Sequence, residues 1–170
     1  DKNTRPLKDL VRESIFNLLN HSNKISLKLE DSNILDLYAG TGSFGLECLS
    51  RGSKYVAFIE NYKDVLPILK KNLSNLNTKK NYEIFNLDIV KKFNFKKLSN
   101  QFDVIFLDPP YKEKNIKDIL INIFNEKIIN KNGIVIIHRH KKELDDFPSN
   151  FKIVEKKNYG ISKIIFGFYD

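Results

Sequence analysis

Cysteine occurs once in these 170 residues, at Cys48. A single thiol excludes an internal disulfide and a cysteine-built metal centre. Cys48 lies in Leu46-Glu47-Cys48-Leu49, a stretch of helical character, and reads as a small core residue. Long apolar runs are missing as well. None approaches the roughly 18 residues that a membrane helix requires, and no signal peptide is visible. The chain therefore reads as cytoplasmic, with no membrane partner. Arginine is scarce, with 4 residues against 25 lysines. Lysine, asparagine and isoleucine all rise with an AT-rich genome, so part of the net charge of +8 reflects codon drift. A positive surface attracts phosphates whatever its origin. The arginines that resisted this drift are more telling, and Arg5 and Arg12 both stand in the opening segment. No internal repeat and no second unit is visible. The length suits a single domain over residues 1–170 with a proper α/β core, and it reads as a monomer.

Apolar periodicity alternates between helix and strand along the chain. A helical stripe covers 7–19, and 20–32 is a polar linker. A strand at 33–38 precedes a helix at 43–51 and a strand at 55–60. Leu66, Leu69, Leu73 and Leu76 define the next helix, in which Pro67 is tolerable only within the first turn. A strand follows at 82–86, then an irregular or helical segment at 89–99. The remaining elements are a strand at 102–107, a helix at 116–129, a strand at 133–138, and two closing strands at 151–155 and 161–168 around Tyr159-Gly160. Strands separated by helices imply a parallel sheet with crossover connections, and the last two strands should pair antiparallel.

The fourth strand ends in Asp108-Pro109-Pro110-Tyr111. A strand followed by a Pro-rich turn needs no function to explain it. Yet this sequence suits the methylation of an exocyclic base amine, whose lone pair is withdrawn into the ring. The Asp108 carboxylate and the Pro109 carbonyl could accept the two amine hydrogens and aim the lone pair at a methyl donor. Pro109 and Pro110 have fixed φ and no N–H, which makes the turn stiff. Tyr111 could stack on a base taken out of its helix.

Upstream, Asp36-Leu37-Tyr38-Ala39-Gly40-Thr41-Gly42-Ser43-Phe44-Gly45 follows the first strand. Gly40, Gly42 and Gly45 spell G-x-G-x-x-G, and Glu60 ends the second strand. This is also the fingerprint of a dinucleotide site. Asp36 separates the two readings. Its carboxylate would repel a pyrophosphate, whereas S-adenosylmethionine carries an ammonium, a sulfonium and no phosphate. As a turn or capping residue, Asp36 would favour neither.

These motifs, with Asp88 in Asn86-Leu87-Asp88-Ile89, resemble in order and spacing those of class I S-adenosylmethionine-dependent methyltransferases. The opening Arg5-Pro6-Leu7-Lys8-Asp9-Leu10-Val11-Arg12-Glu13-Ser14-Ile15-Phe16 narrows the resemblance to the RsmD family. Its members methylate a guanine N2 amine in bacterial 16S ribosomal RNA. The resemblance implies a Rossmann-like α/β fold, with a mostly parallel seven-stranded sheet, one antiparallel strand near its edge and helices on both faces. It implies a cofactor set of Asp36, Tyr38, Gly40, Thr41, Gly42, Glu60, Asn61, Asp88 and Ile89, and a catalytic turn of Asp108, Pro109, Pro110 and Tyr111. Asp36 and the glycine loop would hold the methionine end, Glu60 the ribose hydroxyls and Asp88 the adenine amine. The partner would be 16S ribosomal RNA within the small subunit or an assembly intermediate, met by Arg5, Arg12, Lys112, Lys114 and Lys117. Leu7 and Lys8 replace the family's usual threonines, and His138 stands where an acid often follows the fifth strand. The family's short Gly- and Lys-rich leader is expected ahead of Asp1.

Other clusters point less sharply. Lys91-Lys92-Phe93-Asn94-Phe95-Lys96-Lys97 could stack on RNA, or could bury its phenylalanines and solvate its lysines. His138 and His140 lack a third ligand for a metal, and no metal is expected. Two other enzymes stay open: an adenine-N6 methyltransferase with the same chemistry, and a nicotinamide-dependent oxidoreductase. A silent RNA-binding module is the non-enzymatic alternative, and the intact acids argue against it.

Overall fold

The computed structural model describes residues 9–25, 27–76, 81–89, 95–98 and 101–170. One sheet contains seven strands: β1 (Asn33–Leu37), β2 (Tyr55–Ile59), β3 (Tyr82–Phe85), β4 (Phe102–Leu107), β5 (Ile129–His140), β6 (Phe151–Tyr159) and β7 (Ser162–Tyr169). Their order is β3-β2-β1-β4-β5-β7-β6. The first five pair in parallel, and β7 runs antiparallel to both β5 and β6. One reversed strand next to an edge is the arrangement expected above.

The inner strands are apolar on both faces because both faces are covered. Ile34, Val56, Phe58, Val104 and Phe106 pack with α1 (Asp9–His21), α2 (Ser43–Ser50) and α3 (Leu66–Ser74). Leu35, Ala57, Ile59, Ile105 and Leu107 face the other way, towards α4 (Ile116–Asn125) and a 3-10 turn at Phe95–Lys97. Phe16, Phe44 and Phe106 stack in a column, with ring centroids 5.3 and 4.2 Å apart. This column joins α1 through α2 to the middle of the sheet. Each buried ring contributes about 1.5–3 kcal/mol, enough to hold α1 against the core. Cys48 is a core residue, and burial raises its thiol pKa well above the ordinary range.

Most boundaries fall within two residues of the sequence expectation, and Pro67 lies in the first turn of α3. The exception is the α4–β5 junction, expected as a helix to 129 and a strand from 133. Instead α4 stops at Asn125 and β5 begins at Ile129. Lys127 turns left-handed at φ 55, which ends the helix without a glycine. Ile128 then enters the core, and Ile129 pairs with Phe102. The register shifts before Val104 meets Ile134, with Asn132 at φ 67 within the shifted stretch. β6 is also longer than expected, running to Tyr159 rather than to 155, because the β6–β7 turn is tight. Gly160 occupies a left-handed φ of 56 there, as short hairpin turns require. With β1 to β5 parallel, their carboxyl ends share one edge, where ligands of such sheets bind.

Candidate active site at the carboxyl edge

The chain leaves β1 through a left-handed bend: Tyr38 has φ 59, Gly40 φ 59 and Gly42 φ 87. A bulky residue such as Tyr38 rarely adopts this conformation, which marks a constrained loop. Asp36 lies beneath it at 1% exposure. Its Oδ2 accepts the Gly45 N–H at 3.1 Å, and its Oδ1 has no hydrogen-bond partner among the described residues. Burial raises the Asp36 pKa well above the carboxylate range, and the charges of Asp108 and Glu60 push it the same way. Three acids from the ends of β1, β2 and β4 thus bear on one spot. Glu60 bridges two loops: Oε2 accepts the Gly40 N–H at 2.8 Å, and Oε1 accepts the Tyr62 N–H at 3.1 Å. The Thr41 carbonyl accepts from Asn72 Nδ2 of α3 at 2.9 Å.

Gly45 has a packing role. A Cβ there would lie 2.7 Å from Phe58 Cζ and 3.0 Å from Val56 Cγ1, so only glycine lets α2 sit this close to β2. The Tyr38 hydroxyl is buried and has no hydrogen-bond partner among the described residues. Burial raises its pKa, and the charges of Glu113, Asp88 and Glu60 add to the effect while Arg139 opposes it. Asp88 is half-buried, Ile89 is buried and Asn61 is exposed.

The Asp108–Tyr111 turn lies beside this loop, since β4 pairs with β1. β5 holds it at two points. His138 Nδ1 lies 2.8 Å from Asp108 Oδ1. Arg139, fully buried, forks onto Asp145 through Nε and Nη2, at 2.8 and 3.1 Å. Its Nη1 also donates to the Pro110 carbonyl at 3.2 Å, and its Nη2 to the Glu113 carbonyl at 2.8 Å. Pro110 oxygen also accepts the Glu113 N–H at 2.9 Å. The guanidinium thus occupies the carbonyl next to the one assigned to substrate, Pro109. Tyr111 meets His140 edge-on, with centroids 5.3 Å apart.

Sequence reasoning passed over Arg139. The signal was present, because only four arginines survive among 29 basic residues and this is one of them. Applied beyond the opening segment, the same reasoning would have found it. It also passed over His138 as a partner of Asp108, for the spacing of thirty residues gives no local hint.

Lys112 and Lys117 are exposed just past Tyr111, and Lys114 ion-pairs with Glu143 at 2.6 Å. Arg12 is half-buried; it bonds Asp9 at 3.1 Å and reaches Ser43 Oγ, at the start of α2, at 3.4 Å. Arg5 lies outside the described residues, as do Leu7, Lys8 and the Lys91–Asn94 part of the basic–aromatic cluster. His138 commits both ring nitrogens, to Asp108 and to Ser162.

The charge at this edge selects the ligand. A pyrophosphate would face Asp36, Glu60 and Asp108 together, whereas a ligand with positive charge and no phosphate would relieve their mutual repulsion. The unpartnered Asp36 oxygen fits the second kind.

The profile of the family described as conserved hypothetical protein 95 matches residues 1–168. A ribosomal RNA small subunit methyltransferase D of Buchnera aphidicola is 33% identical over 91% of this chain and 77% of its own. A solved structure described as a candidate methylase of Haemophilus influenzae is 32% identical, with a TM-score of 0.71 over 94% of this chain and 96% of that one. An Escherichia coli structure described as a candidate methyltransferase superposes at a TM-score of 0.79 over 98% and 88% of the two chains, at 24% identity.

Proposed function

This chain belongs to the RsmD family of small-subunit ribosomal RNA methyltransferases, and on that premise we propose that it methylates the exocyclic N2 amine of a guanine in 16S ribosomal RNA, with S-adenosylmethionine as the donor. The observation that carries this reading is the Asp108–Tyr111 turn, held from β5 beside the glycine loop. When bound, S-adenosylmethionine supplies an electrophilic methyl group on a sulfonium. Asp36 and Glu60 support the loop and its charge preference, and Asp88 and Tyr38 flank the site.

The chain's own groups do the remaining work. Asp108 and the Pro109 carbonyl accept the two amine hydrogens, which aligns the lone pair and stabilises the positive charge growing on nitrogen. Holding amine and methyl in line supplies most of the acceleration. Extracting the base costs a few kcal/mol, about 2–4, which stacking on Tyr111 and phosphate contacts from Lys112, Lys114 and Lys117 offset. A small subunit or an assembly intermediate is the substrate, because lysine contacts of this kind read phosphates and leave the single guanine to be picked out by the shape of the RNA that presents it.

The test uses small subunits from cells lacking the enzyme, methyl-labelled S-adenosylmethionine, and identification of the labelled nucleoside. N2-methylguanosine is the expected product, and N6-methyladenosine would overturn the base assignment. Asp108→Ala should cut turnover by more than about tenfold, or about 1.4 kcal/mol, while leaving cofactor affinity in place. Retained turnover would remove Asp108 from the chemistry.

A further inference from the structure

We infer that His138 is a positioning residue for methyl transfer, the middle member of an Asp108–His138–Ser162 chain that fixes which Asp108 oxygen meets the substrate amine. The inference rests on the reading of Asp108 given above. Three strands contribute one residue each. Asp108 follows β4, His138 lies in β5, and Ser162 opens β7. His138 Nδ1 is 2.8 Å from Asp108 Oδ1, and His138 Nε2 is 2.9 Å from Ser162 Oγ. His138 is 8% exposed and Ser162 4%, so neither contact is an accident of the surface.

The proton inventory gives the chain its direction. With Asp108 ionised, Oδ1 can only accept, so Nδ1 must carry a hydrogen. Nε2 of the neutral ring then has a lone pair, and the Ser162 hydroxyl donates to it. The carboxylate thus sets the tautomer, and the Ser162 hydroxyl anchors the far side of the ring, as an outer partner does for a ligating or catalytic histidine. The opposite tautomer would set a lone pair against a carboxylate. Held this way, the carboxylate cannot rotate. Oδ1 is committed to the imidazole and Oδ2 is left for an amine hydrogen.

Without the imidazole, Asp108 could swing between rotamers or turn its better acceptor away. The loss should appear in the rate of the chemical step, since a misplacement of about an ångström can cost a hundredfold. A role confined to packing predicts something else: lower stability, with any surviving enzyme turning over normally.

The experiment compares His138→Leu, His138→Asn and Ser162→Ala with the wild-type enzyme. Each is assayed for kcat and KM on undermethylated small subunits, for S-adenosylhomocysteine affinity by calorimetry, and for melting temperature. His138→Leu should lower kcat by about tenfold or more, with KM and cofactor affinity within about twofold. His138→Asn keeps an N–H at the Nδ1 position and should recover kcat to within about threefold of wild type, even if its melting temperature stays low. Ser162→Ala leaves the ring but removes its anchor at Nε2, and should lower kcat by about threefold or more. Should the leucine variant fail to fold, the asparagine and alanine variants carry the decision. Normal kcat in Ser162→Ala, equal impairment in the leucine and asparagine variants, or a leucine variant within about twofold of wild type would each overturn the inference. Asp108→Ala, run alongside, separates the two readings. An inactive Asp108→Ala with an unaffected His138→Leu removes only the positioning role, whereas an active Asp108→Ala removes the assignment of Asp108 itself.

Discussion

Arg139→Met is the sharpest probe of how the Asp108–Tyr111 turn is held. The side chain is fully buried and donates to four acceptors: both Asp145 oxygens, the Pro110 carbonyl and the Glu113 carbonyl. A further carboxylate, Glu143, lies 3.6 Å away. Methionine fills the space but leaves the Asp145 carboxylate, 4% exposed, without its counter-charge. Removing one partner of a buried ion pair costs about 3–5 kcal/mol. For a domain of this length that corresponds to a fall in melting temperature on the order of 6–20 °C. The second variant, Arg139→Met with Asp145→Leu, removes both charges and should recover most of the loss, because replacing a whole buried pair by apolar groups is often nearly neutral. Urea titration followed by circular dichroism measures these proteins together with Asp145→Leu, and the four close a double-mutant cycle that isolates the pair. Activity should not recover with stability. The double variant still lacks the donors to Pro110 and Glu113, so turnover should stay low while cofactor affinity holds. A single variant within about 1 kcal/mol of wild type, or a double variant with restored turnover, would refute the clamp.

Gly45→Ala should destabilise the fold by about 1–3 kcal/mol through overpacking against Phe58 and Val56, and thermal melts check it. Glu60→Ala removes the acceptor of the Gly40 and Tyr62 N–H groups, and calorimetry should show cofactor binding weaker by about 1–3 kcal/mol. Asp36 makes a pH prediction. Its carboxyl is raised in the folded protein, so the free fold gains most below the ordinary carboxyl range and loses that gain as pH rises through the folded-state pKa. A cationic ligand favours the carboxylate, so binding should release protons and tighten with rising pH across the same window. Calorimetry in two buffers of different ionisation enthalpy measures the release, and zero release would uncouple Asp36 from the ligand.

What could be read in the sequence was whatever is local. The short apolar strands, the leucines of α3 and the glycine loop announced themselves, because each is a short-range pattern with a single structural outcome. The α4–β5 junction did not. Ile128 and Ile129 continue the apolar stripe of a helix, and only the left-handed Lys127 and the pairing of Ile129 with Phe102 take them out of it. The acids of the site could be seen because each stands at or just past the end of a strand. What holds them was hidden, since His138 and Arg139 act on residues 26–30 positions away. Arg12 illustrates the same limit. Its charge was legible, whereas its bond to Ser43 depends on where α1 lands.

The order of the strands has a consequence for synthesis. β7 follows β6 in the chain but lies between β5 and β6 in the sheet. As the polypeptide leaves the ribosome, β5 therefore has no neighbour on one side until β7 arrives. Val135, Ile136 and Ile137, wholly buried once folding ends, border an open row of backbone donors and acceptors in the meantime. Such an edge invites pairing with another chain. In the finished sheet the edge passes to β6, whose exposed Lys152, Lys156 and Lys157 discourage that pairing. Ser162 arrives with β7 as well, so a nascent or clipped chain can display the glycine loop and the Asp108 turn while the histidine behind them still lacks its serine.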